Sequence, residues 1–309
     1  MREVMGQLEA IDVEQTLANP QNKLSGYELV NERKLDNYTI KHYIEDGIEH
    51  IVYTPKEQRY ETPILMQHGM WHGAWCWQQW QELFAEWGWQ SIAISLPGHA
   101  NSPLQKPMTE ITLDYYLAFL RDEMAKFDSP PILMGHSMGG AISQWYLRYV
   151  SNDLPAVVLV GSWVYADAQQ DGVSRFLQLD PIGVMMTFWT RTAEQYMRSP
   201  KIAAKLLISD HCIYTPEELH KKLGSESGIV MMQHNPPFWK PADSIRAPLL
   251  YVAGEKDAVV SIEGGRCTAE HYKGDFILVP DCAHNIMMDA HYKETAQQIH
   301  DWLQKQSIA

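Results

Sequence analysis

The sequence predicts an α/β protein: a mostly parallel sheet flanked by helices and interrupted late in the chain by a helical insert. Three observations predict it. Short apolar runs of strand length alternate with helical spacings from Pro63 to Val160, the pattern of right-handed βαβ units. The alternation stops between Trp163 and about Ile245 and then resumes. The residues with chemical character stand where the apolar runs end, and in such sheets ligands bind beyond the carboxyl ends of the strands.

Taken in order, residues 1–35 are polar and mixed in charge, with a turn signal at Asn19-Pro20-Gln21-Asn22. They read as an N-terminal surface extension or a short helix. Two β-like runs between Tyr38 and Tyr53 flank Asp46-Gly47, a hairpin signal. Pro63–Gln67 is a strand ending in His68-Gly69, residues 75–87 look helical, and Trp89–Ser95 is a strand ending in Leu96-Pro97-Gly98. Leu113, Tyr116, Leu117, Leu120, Met124 and Phe127 repeat at helical spacing. Pro131–Met134 is the next strand, Met138 to about Val150 a helix, and Ala156–Val160 a strand. Pro248–Ala253 and Asp275–Val279 restore the strand pattern, and residues 290–305 form a last helix. The expected core is therefore 36–162 with 246–309, and 163–245 is a helical cap insertion.

Composition narrows the function. The chain has 309 residues, 45% of them hydrophobic and 20% charged, which is globular rather than disordered. A net charge of -13 spread along the chain argues against nucleic acid, which requires a basic face, and disfavours anionic membrane surfaces. Cys76, Cys212, Cys267 and Cys282 form no C-x-x-C pair, so neither a zinc site nor a redox motif is signalled. Scattered buried thiols are the expectation, with a disulfide left open. The first nine residues lack an apolar signal segment. No apolar run approaches the roughly 18 residues of a membrane helix. A cytoplasmic protein without membrane insertion, monomeric or homodimeric, is expected.

The chemistry centres on Gly135-His136-Ser137-Met138-Gly139-Gly140, which follows an apolar strand and opens a helix. That context turns G-x-S-x-G into a nucleophile elbow. The turn strains the serine backbone and needs small residues at 135 and 139 where neighbouring backbone crowds in. The hydroxyl then sits at a helix N-terminus that favours developing negative charge.

A serine hydroxyl needs a base. After such an elbow the chain order is serine, acid, histidine. Asp257 lies just past the strand ending at Ala253, and His284 just past the strand ending at Val279. His284 would take the serine proton, and Asp257 would hold the imidazole tautomer and stabilise the imidazolium. Glu255 and Asp281 are competing acids nearby. The loop after the Pro63–Gln67 strand and the residue after the nucleophile supply oxyanion amides in this architecture; these are Met70 and Met138. His68 is read as a loop-bracing residue. Trp71 and Trp163 each follow a strand end at the catalytic edge and are the pocket candidates.

At this point the residues resemble a known group. His68-Gly69-Met70-Trp71-His72-Gly73-Ala74-Trp75-Cys76-Trp77 is similar to the H-G-x-x-H-G-A-W-x-W loop of the α/β-hydrolase superfamily, especially its plant methylesterase and hydroxynitrile lyase branch. Leu96-Pro97-Gly98-His99-Ala100-Asn101-Ser102 resembles the family's D-x-P-G-H-G-x-S loop, with Ser95 in place of Asp and Ala100 in place of Gly. The resemblance covers about residues 38–305. It implies the α/β-hydrolase fold with eight strands, a cap after strand six, and neither cofactor nor metal. Cleavage of a carboxylic ester or lactone of a small to medium apolar substrate is the expectation, because the insert is rich in Met and aromatic residues that could cover an apolar pocket: Met185, Met186, Phe188, Trp189, Met231, Met232, Phe238 and Trp239. Carbon–carbon bond hydrolysis, cofactor-free perhydrolysis and a non-catalytic small-molecule receptor use the same residues and stay open. For a hydroxynitrile lyase, the lysine that follows that branch's histidine is replaced by Asn285.

Overall fold

The computed structural model describes residues 6, 8, 9, 11–166, 168–306 and 308. The chain enters its sheet earlier than the sequence pattern announces. After a short helix α1 (Val13–Ala18), residues Tyr27–Lys34 form strand β1. The expectation for residues 1–35, a surface extension or a short helix, does not include this strand. Every residue of β1 is exposed, so no polar–apolar alternation marks it. It pairs only with β2 (Tyr38–Glu45), antiparallel, with a bulge between Leu29 and Asn31. Charges and a bulge are how an edge strand avoids pairing with other chains.

Strands β2 and β3 (Ile48–Pro55) make the expected hairpin, with Glu45 opposite Ile48. The two turn residues have φ of 51° at Asp46 and 74° at Gly47, the handedness that matches strand twist. The sheet continues through β4 (Tyr60–Gln67), β5 (Trp89–Ser95), β6 (Ile132–His136), β7 (Val157–Val160), β8 (Leu249–Gly254) and β9 (Asp275–Val279). Its order is β1-β2-β3-β5-β4-β6-β7-β8-β9, nine strands among the described residues where eight were expected. All pairs from β5–β4 onward are parallel. Strands β6, β7 and β8 are buried along their whole length because helices cover both faces, which explains their unbroken apolar runs.

Helices α2 (Gln78–Trp87), α3 (Leu113–Met124) and α4 (Met138–Tyr149) follow β4, β5 and β6. Between β7 and β8 the insert folds as α5 (Ala168–Leu179), α6 (Pro181–Thr190), α7 (Pro200–Leu207), α8 (Pro216–His220) and α9 (Gly228–Gln233). Three of these begin with a capping side chain followed by proline, at Asp180-Pro181, Ser199-Pro200 and Thr215-Pro216. Such pairs start helices and prevent their continuation from upstream, so the segment breaks into short pieces. The insert is fastened to the core by Leu113 N–H donating to Gln233 Oε1 (2.5 Å), Ser227 Oγ donating to the Ile111 carbonyl (2.8 Å) and Trp145 Nε1 donating to His234 Nδ1 (3.0 Å). Helices α10 (Ile262–His271) and α11 (Tyr292–Lys305) complete the sandwich. All four cysteines are free thiols, with Cys76 and Cys282 buried. Among the described residues no helix is long and apolar enough to cross a membrane.

Candidate active site

Strand β6 ends at His136 and α4 begins at Met138, so Ser137 alone makes the turn, with φ 53° and ψ -119°. A non-glycine residue held in so sparsely populated a region costs on the order of 1–3 kcal/mol. Ser137 N–H donates to the Val160 carbonyl (3.0 Å) and its own carbonyl accepts from Ala141 N–H (3.1 Å), which holds the turn. The flanking glycines have no room for a side chain. A Cβ at Gly135 would lie 2.5 Å from Gly139 O, and one at Gly139 would strike the carbonyl oxygens of Gln67 and His68. A Cβ on Gly69 would lie 2.7 Å from Ser137 Cβ, so the loop after β4 packs directly on the serine.

The loops after β8 and β9 bring Asp257 and His284 to the same edge. His284 Nε2 lies 2.9 Å from Ser137 Oγ, and His284 Nδ1 lies 2.8 Å from Asp257 Oδ2. Asp257 Oδ1 accepts from the amides of Val259 (2.7 Å) and Val260 (3.0 Å). A carboxylate so filled with donors takes the proton of Nδ1 as a hydrogen bond, and the Nε2 lone pair faces the hydroxyl. The competing acids lie elsewhere. Glu255 accepts from Asp281 N–H, Asp281 pairs with Lys256, and both acids are exposed. His136 Nε2–H donates to the His284 carbonyl (3.1 Å), bracing the histidine loop from the elbow.

Met70 and Met138 are both buried beside the serine. As the first residue of α4, Met138 has an amide without an intrahelical acceptor. Among the described residues neither the Met70 nor the Met138 N–H has a protein acceptor. Two neutral imidazoles brace the Met70 loop. His68 Nε2 accepts from Leu96 N–H (3.0 Å), so its Nδ1–H donates to the Gly69 carbonyl (2.7 Å). His72 Nδ1 lies 2.6 Å from the Met70 carbonyl and its Nε2 lies 3.1 Å from Asn285 Nδ2. Burial pushes both rings down in pKa, His72 to about 4 and His68 well below its ordinary value. His68 thus has the bracing place read for it. His72 and Asn285 escaped the sequence reading as site residues, because no spacing rule links positions so far apart.

The loop after β5 departs from the family pattern at Ser95 and Ala100, and a buried carboxylate from β3 fills the gap. Ser95 Oγ donates to Glu49 Oε2 (2.5 Å) and accepts from Ala74 N–H (2.8 Å). Asn101 donates to Glu49 from its amide (3.3 Å) and side chain (2.6 Å), and His42 Nε2 lies 2.7 Å from Oε1. Ala100 accepts a φ of 45° where the family has glycine.

A cavity of about 180 Å³ lies at this edge under the insert. Trp163, Val184, Phe188, Tyr196, Met231 and Val259 are among its lining residues. Trp163 is thus at a pocket, and Trp71 is not among the residues lining it. Trp71 Nε1 instead donates to the Ala193 carbonyl (3.0 Å), tying the loop after β4 to the insert. Ser137 and His284 are not in the lining either. The lining does include Val259 and Val260, whose amides hold Asp257, and Trp163, whose amide donates to the Ser137 carbonyl (3.4 Å). The insert's Met and aromatic residues divide: Met231 and Phe188 face the cavity, whereas Met185 and Trp189 point outward and are 69% and 90% exposed.

A strained serine after a parallel strand, hydrogen-bonded through histidine to an acid two strands further on, defines a class that sequence comparison identifies directly. The alpha/beta hydrolase family model matches residues 64–298, and the chain belongs to that family. It is 26% identical over 184 residues to a monoacylglycerol lipase of Mycolicibacterium smegmatis, covering 56% of this chain and 62% of the lipase. It is 22% identical over 228 residues to a pimeloyl-[acyl-carrier protein] methyl ester esterase of Neisseria meningitidis, covering 70% of this chain and 84% of the esterase. By name both relatives are carboxylic ester hydrolases. Its fold is similar to that of a monoglyceride lipase from Saccharomyces cerevisiae, with a TM-score of 0.66 at 14% identity over 96% of this chain and 99% of that one. A methylesterase from Arabidopsis shares the fold with a TM-score of 0.61 at 15% identity over 79% of this chain and 99% of the other.

Proposed function

We propose that this chain is a serine esterase that cleaves a carboxylic ester or lactone of a small to medium apolar substrate through an acyl-enzyme. The observation that carries the reading is the Ser137–His284–Asp257 hydrogen-bond chain at the carboxyl edge of the sheet. Ser137 Oγ attacks the ester carbonyl while His284 Nε2 takes its proton. The amides of Met70 and Met138 receive the oxyanion. Asp257 stabilises the imidazolium, which returns the proton to the leaving alcohol. Water, deprotonated by His284, then attacks the acyl-enzyme and releases the acid. No step calls for a cofactor. The insert over 163–245 acts as a cap, and its cavity, with Trp163, takes the apolar part of the substrate. The names of the two curated relatives support the bond type.

A panel of p-nitrophenyl esters, lactones, amides and cyanohydrins tests the reading with Ser137→Ala and His284→Ala beside the parent. Ester or lactone turnover should dominate, and each variant should lose nearly all of it, since triad members act as a unit. Turnover of cyanohydrins alone, or variants as active as the parent, would sink it.

A further inference from the structure

We infer that His72 and Asn285 form a positioning pair that fixes the direction of the Met70 amide; this rests on the proposed role of that amide as an oxyanion donor. The geometry of two successive peptide planes carries the inference. The Met70 N–H belongs to the Gly69–Met70 peptide, and in a trans peptide it points opposite the Gly69 carbonyl. That carbonyl is held by His68 Nδ1 (2.7 Å) and by the amide of His72 (3.3 Å). The next plane carries the Met70 carbonyl, held by His72 Nδ1 (2.6 Å). Residue 71 then turns with a φ of 64°, a conformation that a bulky side chain adopts only when its surroundings impose it.

A ring nitrogen facing a carbonyl must carry the proton, so His72 is the Nδ1–H tautomer. Its Nε2 is then an acceptor, and among the described residues the group facing it with a hydrogen bond is Asn285 Nδ2, at 3.1 Å. The Asn285 amide must therefore present its NH₂ to the ring. The backbone of Asn285 is itself pinned, its N–H donating to the Leu207 carbonyl (2.9 Å). Both side chains are buried, His72 at 1% and Asn285 at 0% exposure. Asn285 directly follows His284, so one buried hydrogen bond connects the loop that carries the base with the loop that carries the oxyanion amide. Donors fixed in advance stabilise a transition state without reorganising at the moment of reaction.

The pair touches no reacting atom, so its loss should appear in turnover rather than in substrate binding. The test is kcat and KM on a soluble p-nitrophenyl ester, with thermal midpoints, for His72→Ala, His72→Asn, His72→Gln and Asn285→Ala. Ser137→Ala runs alongside. An asparagine at 72 can place its NH₂ where Nδ1–H stands, whereas a glutamine places it near Nε2. His72→Asn should therefore retain at least about a third of kcat. His72→Ala and His72→Gln should lose about 10- to 100-fold, less than the roughly 100- to 1,000-fold for deleting an oxyanion donor outright, and Asn285→Ala, which leaves the bond from Nδ1–H in place, should lose about 3- to 10-fold. KM should change less than about threefold in all of them. If the alanine variant fails to fold, the asparagine–glutamine pair, closer in size to histidine, makes the same comparison. Parent-level kcat in His72→Gln, or equal losses in His72→Asn and His72→Gln, would overturn the inference while leaving the esterase reading intact. Activity persisting in Ser137→Ala would overturn both.

Discussion

Ser95 illustrates how one residue's chemistry is shared out when a side chain changes. The family's aspartate at that position would supply a carboxylate to the loop; here a hydroxyl relays to Glu49 from the neighbouring strand. Glu49 gathers Ser95 Oγ, two groups of Asn101 and the His42 ring while only 2% exposed. Removing it strands the buried Ser95 Oγ and takes an acceptor from the more exposed Asn101 and His42, and an unsatisfied buried group costs about 1–3 kcal/mol. Glu49→Ala should therefore lower stability by about 1–3 kcal/mol in urea unfolding. A change below 1 kcal/mol would show that the loop does not depend on this carboxylate. At the same scale, Ser137, His284 and Asp257 were legible because chain order and strand ends locate them without side-chain detail. Glu49, His72 and Asn285 were not, because their roles depend on contacts between distant segments that no local pattern encodes.

Among the elements, the parallel strands were legible from their apolar runs, and β9 (Asp275–Val279) begins and ends where the pattern places it. The helix over Leu113–Met124 was legible from its spacing. Strand β1 was not, since an exposed edge strand has no buried face to write an alternation into its sequence. Helix α10 (Ile262–His271) also escaped notice. Two adjacent glycines and few large apolar residues in Ile262-Glu263-Gly264-Gly265-Arg266-Cys267-Thr268-Ala269-Glu270-His271 mask its periodicity. Gly265 packs against the Tyr251 ring, where a Cβ would lie 2.6 Å from the ring edge, so the weak helix former is imposed by contact with β8. Helices in the insert were legible as a class but not individually. Three of them start at cap–proline pairs, and which face turns to the cavity is decided by packing on the core.

At the scale of the whole molecule, buried neutral histidines couple the fold to pH. Burial holds His72 and His234 at a pKa of about 4, and His68 and His136 well below the ordinary value. Because these folded values lie below the unfolded value near 6.5, the unfolded chain binds more protons in between. The stabilisation is complete above about pH 6.5 and is lost as pH falls toward 4, at about 1.4 kcal/mol per pH unit for each ring. Over the 1.5 units from pH 6.5 to 5 each ring contributes about 2 kcal/mol, so urea unfolding at pH 5 should give a stability on the order of 8 kcal/mol below that at pH 7.5; a difference under about 1 kcal/mol would contradict neutral burial. His68, His72 and His136 hold carbonyls of the loops beside Ser137 and His284, so the burial that keeps these rings uncharged also keeps those hydrogen-bond directions fixed. As a nucleophile activated by His284, Ser137 should react with a fluorophosphonate, and peptide mapping locates the adduct. The adduct should lie on Ser137 in the parent and form at least about 100-fold more slowly in His284→Ala. An adduct on another residue, or none in folded protein, would contradict it.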